Sequence, residues 1–192
     1  DECAAMSVVK RDGRREPVQL DKGLRRYERL CALAPPLRRV DTLHVAQRVV
    51  QGLYDGVGTA ELDELATEVA AALAVRHPDY AQLAGRIGLS NLHKQTSASF
   101  AAVLPKLAPD VRAVAERHLA RIDGALDFGR DLRNYDHFAV RTLLRSYLLR
   151  DDATGRTIER PQVMLMRVAL GIHGDDVDAA LETYDLTSRG LF

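Results

Sequence analysis

Residues 7–20 read SVVKRDGRREPVQL, and this stretch decides how the chain begins to fold. Two runs with the composition of strands, 7–11 and 14–20, flank Asp12-Gly13. An Asp-Gly pair between such runs is a strong hairpin signal, because a type I′ turn needs positive φ at both central residues. Pro17 has no N–H to donate, so we expect its strand to lie at a sheet edge. The stretch therefore predicts a β-hairpin with a type I′ turn.

The pattern then becomes helical as far as residue 98, with apolar residues at helical spacing in four segments. Asp21 is expected to cap the first helix, Asp41 or Thr42 to start the second, and Thr59 to cap the third. Residues 54–58 are interpreted as a loop. The predicted inner faces are, in order, Leu24, Tyr27, Leu30, Cys31 and Ala34; Ala46, Val49, Val50 and Leu53; Leu62, Leu65, Val69 and Leu73; and Tyr80, Leu83, Ala84 and Ile87.

The second half is also predicted to be mainly helical. Residues 100–126 are amphipathic but contain Pro105 and Pro109, residues 127–135 are expected to form a loop, and helical spacing returns over 138–149. Pro161 suits the first turn of an apolar helix. We expect that helix to bury Met164, Leu165, Val168 and Ile172, and a last helix to run from Asp175 to Leu186.

The fold class is therefore predicted as mainly α (α+β). We divide the chain into a leader 1–5, a hairpin and four-helix domain 6–98, a helical connector 99–136 and a helical region 137–192. The chain is expected to be a piece of a longer protein.

The composition excludes several classes of function. Lys+Arg and Asp+Glu number 27 each among the 192 residues, so there is no global field to recruit nucleic acid or a membrane surface. The sequence contains no apolar run long enough to cross a bilayer, no phosphate-binding GxxxxGK[ST] or GxGxxG loop, and no zinc-ligand spacing. Cys3 and Cys31 do not form a disulfide framework, and Cys31 is expected to be a small buried hydrophobe. A reducing, cytoplasmic setting fits best.

One basic cluster could bind an anion. Lys10 and Arg11 lie beside the predicted turn, Lys22 lies near the start of the next helix, and Lys94 follows Ile87 by seven residues, which predicts a position on the inner stripe. A triphosphate carries about four negative charges, which converging cations and helix N–H groups could hold. Spacing alone favours the alternative, a solvated basic hairpin with no ligand.

Longer motifs add a family resemblance. They are Val8–Arg14 with Asp21-Lys22, Gly52–Gly56 before Thr59, His77–Tyr80, Ser90–Lys94, Arg145–Leu149, the run ERPQVMLMRVA from Glu159 to Ala169, and Gly171–His173. The first four resemble the ATP-cone, the nucleotide-sensing domain at the N-terminus of class I ribonucleotide reductase large subunits. The later ones resemble the helical region that precedes the ten-stranded catalytic barrel of the eukaryotic-like enzymes.

The resemblance implies a site for ATP or dATP as an allosteric effector, accompanied by Mg²⁺, with no covalent cofactor and no resident metal. Its residues would be Lys10 and Arg11 at the phosphates, Lys22 and Lys94 completing the cationic lining, Glu16, Val18 and Leu20 framing base and ribose, and Thr59 and Asp63 on the nucleoside side. ATP and dATP differ by a 2′-hydroxyl, so a sensor needs a polar group such as Asp63 near the ribose.

The resemblance also implies what surrounds this domain. The parent enzyme would reduce ribonucleoside diphosphates to deoxyribonucleoside diphosphates, would form large-subunit homo-oligomers, and would work with a metal-containing small subunit. Its catalytic residues would lie beyond Phe192, so none is assigned here. Two alternatives stay open, a degenerate cone kept as an interaction scaffold and a freestanding nucleotide-responsive regulator.

Overall fold

The computed structural model describes residues 7–10 and 12–191. The predicted leader 1–5, Cys3, Arg11 and the side chain of Leu20 lie outside the described part. The chain divides into two compact units. The first comprises the residues up to Asn91 together with Tyr135–Val140, and the second comprises Leu92–Asn134 and the residues from Arg141 onward.

A three-stranded sheet opens the first unit. Its strands are β1 (Ser7–Val9), β2 (Arg15–Pro17) and β3 (Val57–Gly58), in the order β2-β1-β3. β1 pairs antiparallel with β2 and parallel with β3, so the hairpin is confirmed and Pro17 lies on an edge strand. The loop prediction for 54–58 is wrong at its end, because a strand of two residues is too short to show an alternating pattern.

The turn of the hairpin differs from the type I′ prediction. Gly13 has φ +84°, but no described non-glycine residue has positive φ, which excludes Asp12. Lys10 N donates to Arg14 O at 2.8 Å and Gly13 N donates to Lys10 O at 2.9 Å, so the loop has three residues and ends in a left-handed glycine. The Asp12 carboxylate accepts from Arg14 N at 3.1 Å and Arg14 Nε at 2.8 Å. These bonds lower the pKa of Asp12.

Four α-helices complete the first half, as predicted. They are α1 (Leu20–Ala32), α2 (Thr42–Gln51), α3 (Thr59–Ala72), extended by a 3₁₀ turn at Leu73–Val75, and α4 (Pro78–Gln95). The Asp41 cap is confirmed, because its carboxylate accepts from His44 N at 2.9 Å. The caps assigned to Asp21 and Thr59 are wrong. Asp21 lies in the first turn of α1, and α3 begins at Thr59 itself.

The core of the first unit follows two of the predicted faces closely. Tyr27, Leu30 and Cys31 of α1 are buried, and so are all four residues predicted for α4. Ala34 was predicted for the same face as Tyr27, but it is exposed and lies beyond the end of α1. Burial raises the pKa of the Cys31 thiol to about 11, as expected of a small hydrophobe rather than a reactive thiol.

The inner faces predicted for α2 and α3 are wrong in part. Val49 and Leu73 are buried as predicted, but the other predicted residues are only half-buried. In α2 the buried residues are Val45 and Val49, and Val50 and Leu53 are half-buried. In α3 the buried residues are Asp63, Ala66 and Ala70, whereas Leu62, Leu65 and Val69 are half-buried against the same core. Small residues face inward on α3, which hydrophobicity alone does not indicate.

A buried arginine joins α4 to the end of α1. Arg86 is fully buried and donates from Nη1 to Leu30 O at 2.6 Å and from Nη2 to Pro35 O at 2.7 Å. A third bond runs from Nη1 to Leu33 O at 3.1 Å. The last carbonyls of a helix have no partner within it, so this guanidinium satisfies the C-terminal end of α1.

The second half is helical as well. After a 3₁₀ segment at Phe100–Lys106 come α5 (Pro109–Arg117), α6 (Leu119–Ala125), α7 (Asp131–Asn134), α8 (His137–Ser146), α9 (Pro161–His173) and α10 (Val177–Ser188). Pro161 opens α9 as predicted. The loop prediction for 127–135 missed α7, and Asp176 rather than Asp175 caps the last helix.

The predicted inner face of α9 is wrong in part. Val168 and Ile172 are 47% and 65% exposed, and the buried residues of this helix include Val163, Met166 and Leu170. The helix is apolar on nearly all sides, so hydrophobicity could not select the inner face.

The polar residues at the start of α9 belong to a buried network within the second unit. The fully buried Asp131 carboxylate accepts from Gln162 Nε2 at 2.9 Å and lies 2.8 Å from His93 Nε2. Tyr184 OH donates to Gln162 Oε1 at 2.9 Å. The fully buried Glu159 carboxylate accepts from Arg167 Nε at 2.8 Å. Glu159 and Gln162 therefore serve to pack the helices of the second unit.

None of the helices in the described part of the chain is long and apolar enough to cross a membrane.

Among the glycines of the first unit, Gly85 approaches another segment of backbone most closely, and this contact can be tested by substitution. A Cβ at Gly85 would lie 2.4 Å from Tyr135 O and 2.7 Å from the carbonyl carbon of Asp136, both backbone atoms that cannot rotate away. We expect Gly85→Ala to lower the free energy of unfolding by about 1–3 kcal/mol, measured by urea titration with circular dichroism.

Gly88→Ala is the matched control on the same helix. Its Cβ would meet Val140 Cγ1 at 3.4 Å, an ordinary contact. Because alanine is preferred over glycine in a helix by about 1 kcal/mol, this variant should be neutral or more stable. Equal effects of the two substitutions would contradict the close approach at residue 85.

Candidate functional site

The small sheet brings two of the predicted site residues to one end. β1 and β3 are parallel and paired Val8 with Val57 and Val9 with Gly58. The chain therefore leaves both strands at the same end of the sheet, through Lys10 from β1 and Thr59 from β3. Adjacent strands lie about 4.8 Å apart, so these two residues are neighbours.

Lys10 lies in a half-exposed ion pair with another predicted site residue. Its Nζ is 3.2 Å from Glu16 Oε2, and the two side chains are 34% and 36% exposed. Ion pairs at this exposure contribute less than about 1 kcal/mol, since water screens them. A phosphate could therefore take the place of the Glu16 carboxylate at little cost.

The loop before β3 is fixed to the first residue of β1. Asp55 Oδ1 accepts from Ser7 N at 2.8 Å and from Ser7 Oγ at 2.7 Å, and Gly56 N donates to Ser7 O at 2.9 Å. The two bonds from Ser7 lower the pKa of Asp55. Sequence reasoning did not identify Asp55 as part of this arrangement.

Asp63 lies one helical turn beyond Thr59 and is 8% exposed. Its carboxylate pairs with Arg26 of α1, and the two side chains are 11% and 17% exposed respectively. The same guanidinium donates from Nη2 to Asn91 Oδ1 at 2.6 Å and to Ser90 Oγ at 3.2 Å. Arg26 therefore joins α1, α3 and α4 at one junction.

The junction affects the neighbouring tyrosine. Burial raises the pKa of Tyr27 to about 12, opposed by the charge of Arg26 and assisted by that of Asp63. Sequence reasoning missed Arg26. The available signal was the inward stripe Asp63, Ala66 and Ala70 on α3, because a carboxylate on a buried stripe needs a cation from a neighbouring helix.

The remaining predicted site residues differ in how exposed they are. Val18 is half-buried after β2, and Lys22 is exposed in the first turn of α1. Lys94 is exposed near the end of α4, so its predicted inner-stripe position is wrong; Leu92 is the buried residue there. Lys94 also belongs to the second compact unit. Arg11 and the Leu20 side chain lie outside the described residues.

Among the described residues there is no group of three or more His, Cys, Asp or Glu side chains that could hold a metal ion. The sheet end and the arginine junction present cations, a hydroxyl and carboxylates next to the three-stranded sheet. Such groups can bind a charged, polar ligand.

Two family models match the chain. Residues 6–95 match the ATP cone domain, and residues 133–192 match the ribonucleotide reductase all-alpha domain. The chain thus combines an ATP cone with the all-alpha domain of a ribonucleotide reductase, which confirms the resemblance seen in its motifs.

Whole-chain relatives identify the family. The ribonucleoside-diphosphate reductase large subunit of Dictyostelium discoideum is 46% identical over an alignment of 204 positions, which covers 97% of this chain and 23% of that protein. The large subunit of Arabidopsis thaliana and the large chain of Schizosaccharomyces pombe are both 45% identical over alignments of 202 positions, and each alignment covers 97% of this chain and 24% of the relative.

The chain belongs to the ribonucleotide reductase large-subunit family and corresponds to its N-terminal part. It spans about a quarter of the length of the relatives it matches.

The Asp55 contacts predict a pH-dependent contribution to stability. The folded-state pKa of Asp55 is lowered from its ordinary value of 3.8, so its stabilising effect is complete well above that value and is lost as the pH falls through the folded-state pKa. Asp55→Ala should therefore unfold at lower urea concentration than the wild type at pH 7, and the difference should shrink steadily below pH 4.

Asp152→Ala is a suitable control. It removes an exposed carboxylate from the second unit and leaves the bonds between Asp55 and Ser7 in place. A difference between wild type and Asp55→Ala that is constant from pH 7 to pH 2.5 would contradict the charge-assisted bonds to Ser7.

Proposed function

We propose that the first unit binds ATP and dATP as allosteric effectors and regulates a ribonucleoside-diphosphate reductase. The match of residues 6–95 to the ATP cone domain carries this proposal. In the parent enzyme, the regulated reaction is the reduction of ribonucleoside diphosphates to deoxyribonucleoside diphosphates. The chain itself would supply the switch, and the catalytic groups would come from elsewhere in the large subunit.

The sheet end supports a phosphate site. Lys10 is a half-exposed cation whose partner Glu16 is held only by a screened ion pair. Arg11 follows it in the chain, and Lys22 is exposed in the first turn of α1, where backbone N–H groups and the helix dipole favour anions. A triphosphate with its Mg²⁺ would complement this arrangement. The exposed Lys94 is proposed as the fourth cation.

The nucleoside would lie toward α3. Thr59 is half-buried at the same sheet end as Lys10, and Asp63 follows one turn later on α3. Glu16, Val18 and Leu20, on or just after β2, are proposed to frame the base and ribose. This orientation places phosphates at the hairpin and the ribose near the arginine junction.

Regulation follows from differential affinity. If ATP favours one oligomeric arrangement of the large subunit and dATP another, each nucleotide shifts the population toward the state that it binds better. The proposed partners are therefore further copies of the large subunit and the metal-containing small subunit.

The phosphate role of Lys10 is tested by nucleotide titration of the full 192-residue chain. Loss of one charge-assisted contact costs about 1.5–3 kcal/mol, so Lys10→Ala should weaken ATP and dATP alike by about ten- to a hundredfold in isothermal calorimetry with Mg²⁺. Both nucleotides carry the same phosphates, so their ratio should change little.

Arg112→Ala is the matched control. Arg112 is an exposed cation in an i,i+4 pair with Glu116 in the second unit, so the variant removes the same charge from an equivalent pair elsewhere. If the wild-type chain binds neither nucleotide at millimolar concentration, the sensing proposal fails and the scaffold interpretation takes its place.

A further inference from the structure

The junction around Arg26 combines features that a purely structural contact does not need. Both charged partners, Arg26 and Asp63, are largely withdrawn from water, and withdrawing a charge from water has a large desolvation cost. An apolar pair of similar volume would pack at least as well. Stability alone therefore gives little reason for a charged pair at this position.

The position of the Arg26–Asp63 pair suggests a further role. Asp63 follows Thr59 by one turn on the same side of α3, and Thr59 leaves the sheet beside Lys10. A nucleotide whose phosphates lie at Lys10 and whose sugar extends along α3 would bring the ribose to the Asp63 carboxylate. Arg26 already holds this carboxylate, so any hydroxyl that bonds to it must share it with the guanidinium.

The guanidinium is itself held from a third direction. Arg26 Nη2 bonds Asn91 Oδ1 at 2.6 Å and Ser90 Oγ at 3.2 Å, while Nη1 faces Asp63. A planar guanidinium with two of its nitrogens occupied has a fixed orientation. Arg26 of α1 therefore contributes to the direction of the Asp63 carboxylate, and Ser90 and Asn91 of α4 contribute through the guanidinium.

We propose that Arg26 is a positioning residue that sets how strongly the site distinguishes ATP from dATP, by orienting the Asp63 carboxylate toward the ribose. This inference rests on the proposed function. Arg26 touches no phosphate in this arrangement, so it controls the ratio of the two affinities and leaves the phosphate contribution intact. Ser90 and Asn91 act through it.

The decisive measurement is the ratio of the ATP and dATP dissociation constants of the full chain, by calorimetry with Mg²⁺. Arg26→Ala should change this ratio by about tenfold or more, since one hydrogen bond to a charged acceptor is lost or misdirected. Arg25→Ala, which removes an exposed arginine from the adjacent position of α1, should leave the ratio within twofold of wild type.

Two milder variants keep the test informative if Arg26→Ala unfolds. Asn91→Ala keeps the ion pair and removes the 2.6 Å bond that orients the guanidinium, so it should move the ratio in the same direction by a smaller factor. Arg26→Lys keeps the charge beside Asp63, so its ratio should lie between those of the wild type and Arg26→Ala. Thermal melts by circular dichroism identify variants that are folded.

The outcomes separate the two proposals. Folded Arg26→Ala or Asn91→Ala chains that bind both nucleotides with the wild-type ratio would overturn this inference and leave the sensing function standing. Equal weakening of both nucleotides would place Arg26 at the phosphates and would also overturn it. A wild-type chain that binds neither nucleotide would overturn the proposed function and this inference together.

Discussion

The first unit depends on two guanidinium groups that fasten α1 to α4. Arg86 reaches from α4 to the carbonyls at the end of α1, including Leu30 O, and Arg26 reaches from α1 to Ser90 and Asn91 on α4. Arg26 precedes Leu30 by four residues and Ser90 follows Arg86 by four, so the two contacts lie one turn apart on antiparallel helices. Burial lowers the pKa of Arg86, yet an arginine remains charged in proteins, so its bonds persist at any physiological pH.

The two parts of the proposed site differ in how easily their contacts can change. The Arg26 junction is largely buried, so its geometry is costly to change. The Lys10–Glu16 pair at the sheet end is half-exposed and weak. In the proposed site, a ligand would compete for the exposed pair without disturbing the helices, and it would then meet a carboxylate that Arg26 orients. Affinity and discrimination can therefore reside in different residues of the same unit.

Much of this arrangement could be predicted from sequence, and the misses have physical causes. The hairpin, the four helices and the inner faces of α1 and α4 follow from turn chemistry and periodicity. β3 was missed because two residues carry no period, and the type I′ turn because an Asp-Gly pair also suits a three-residue loop that ends in glycine. On α3 the inward residues are a carboxylate and alanines, which a search for large apolar residues passes over. Arg26 and Arg86 resemble surface charges until their partners on other helices are known.

The first unit is discontinuous in sequence, and this affects when it can complete its fold during synthesis. Its residues up to Asn91 are joined by Tyr135–Val140, whose backbone lies against Gly85 of α4. A ribosome that adds about 5–20 residues per second needs several further seconds after Asn91 to deliver that segment. During this interval α4 lacks the contact between Gly85 and the backbone of Tyr135 and Asp136. Order of synthesis therefore makes completion of the first unit a late event, which follows the synthesis of Leu92–Asn134 of the second unit.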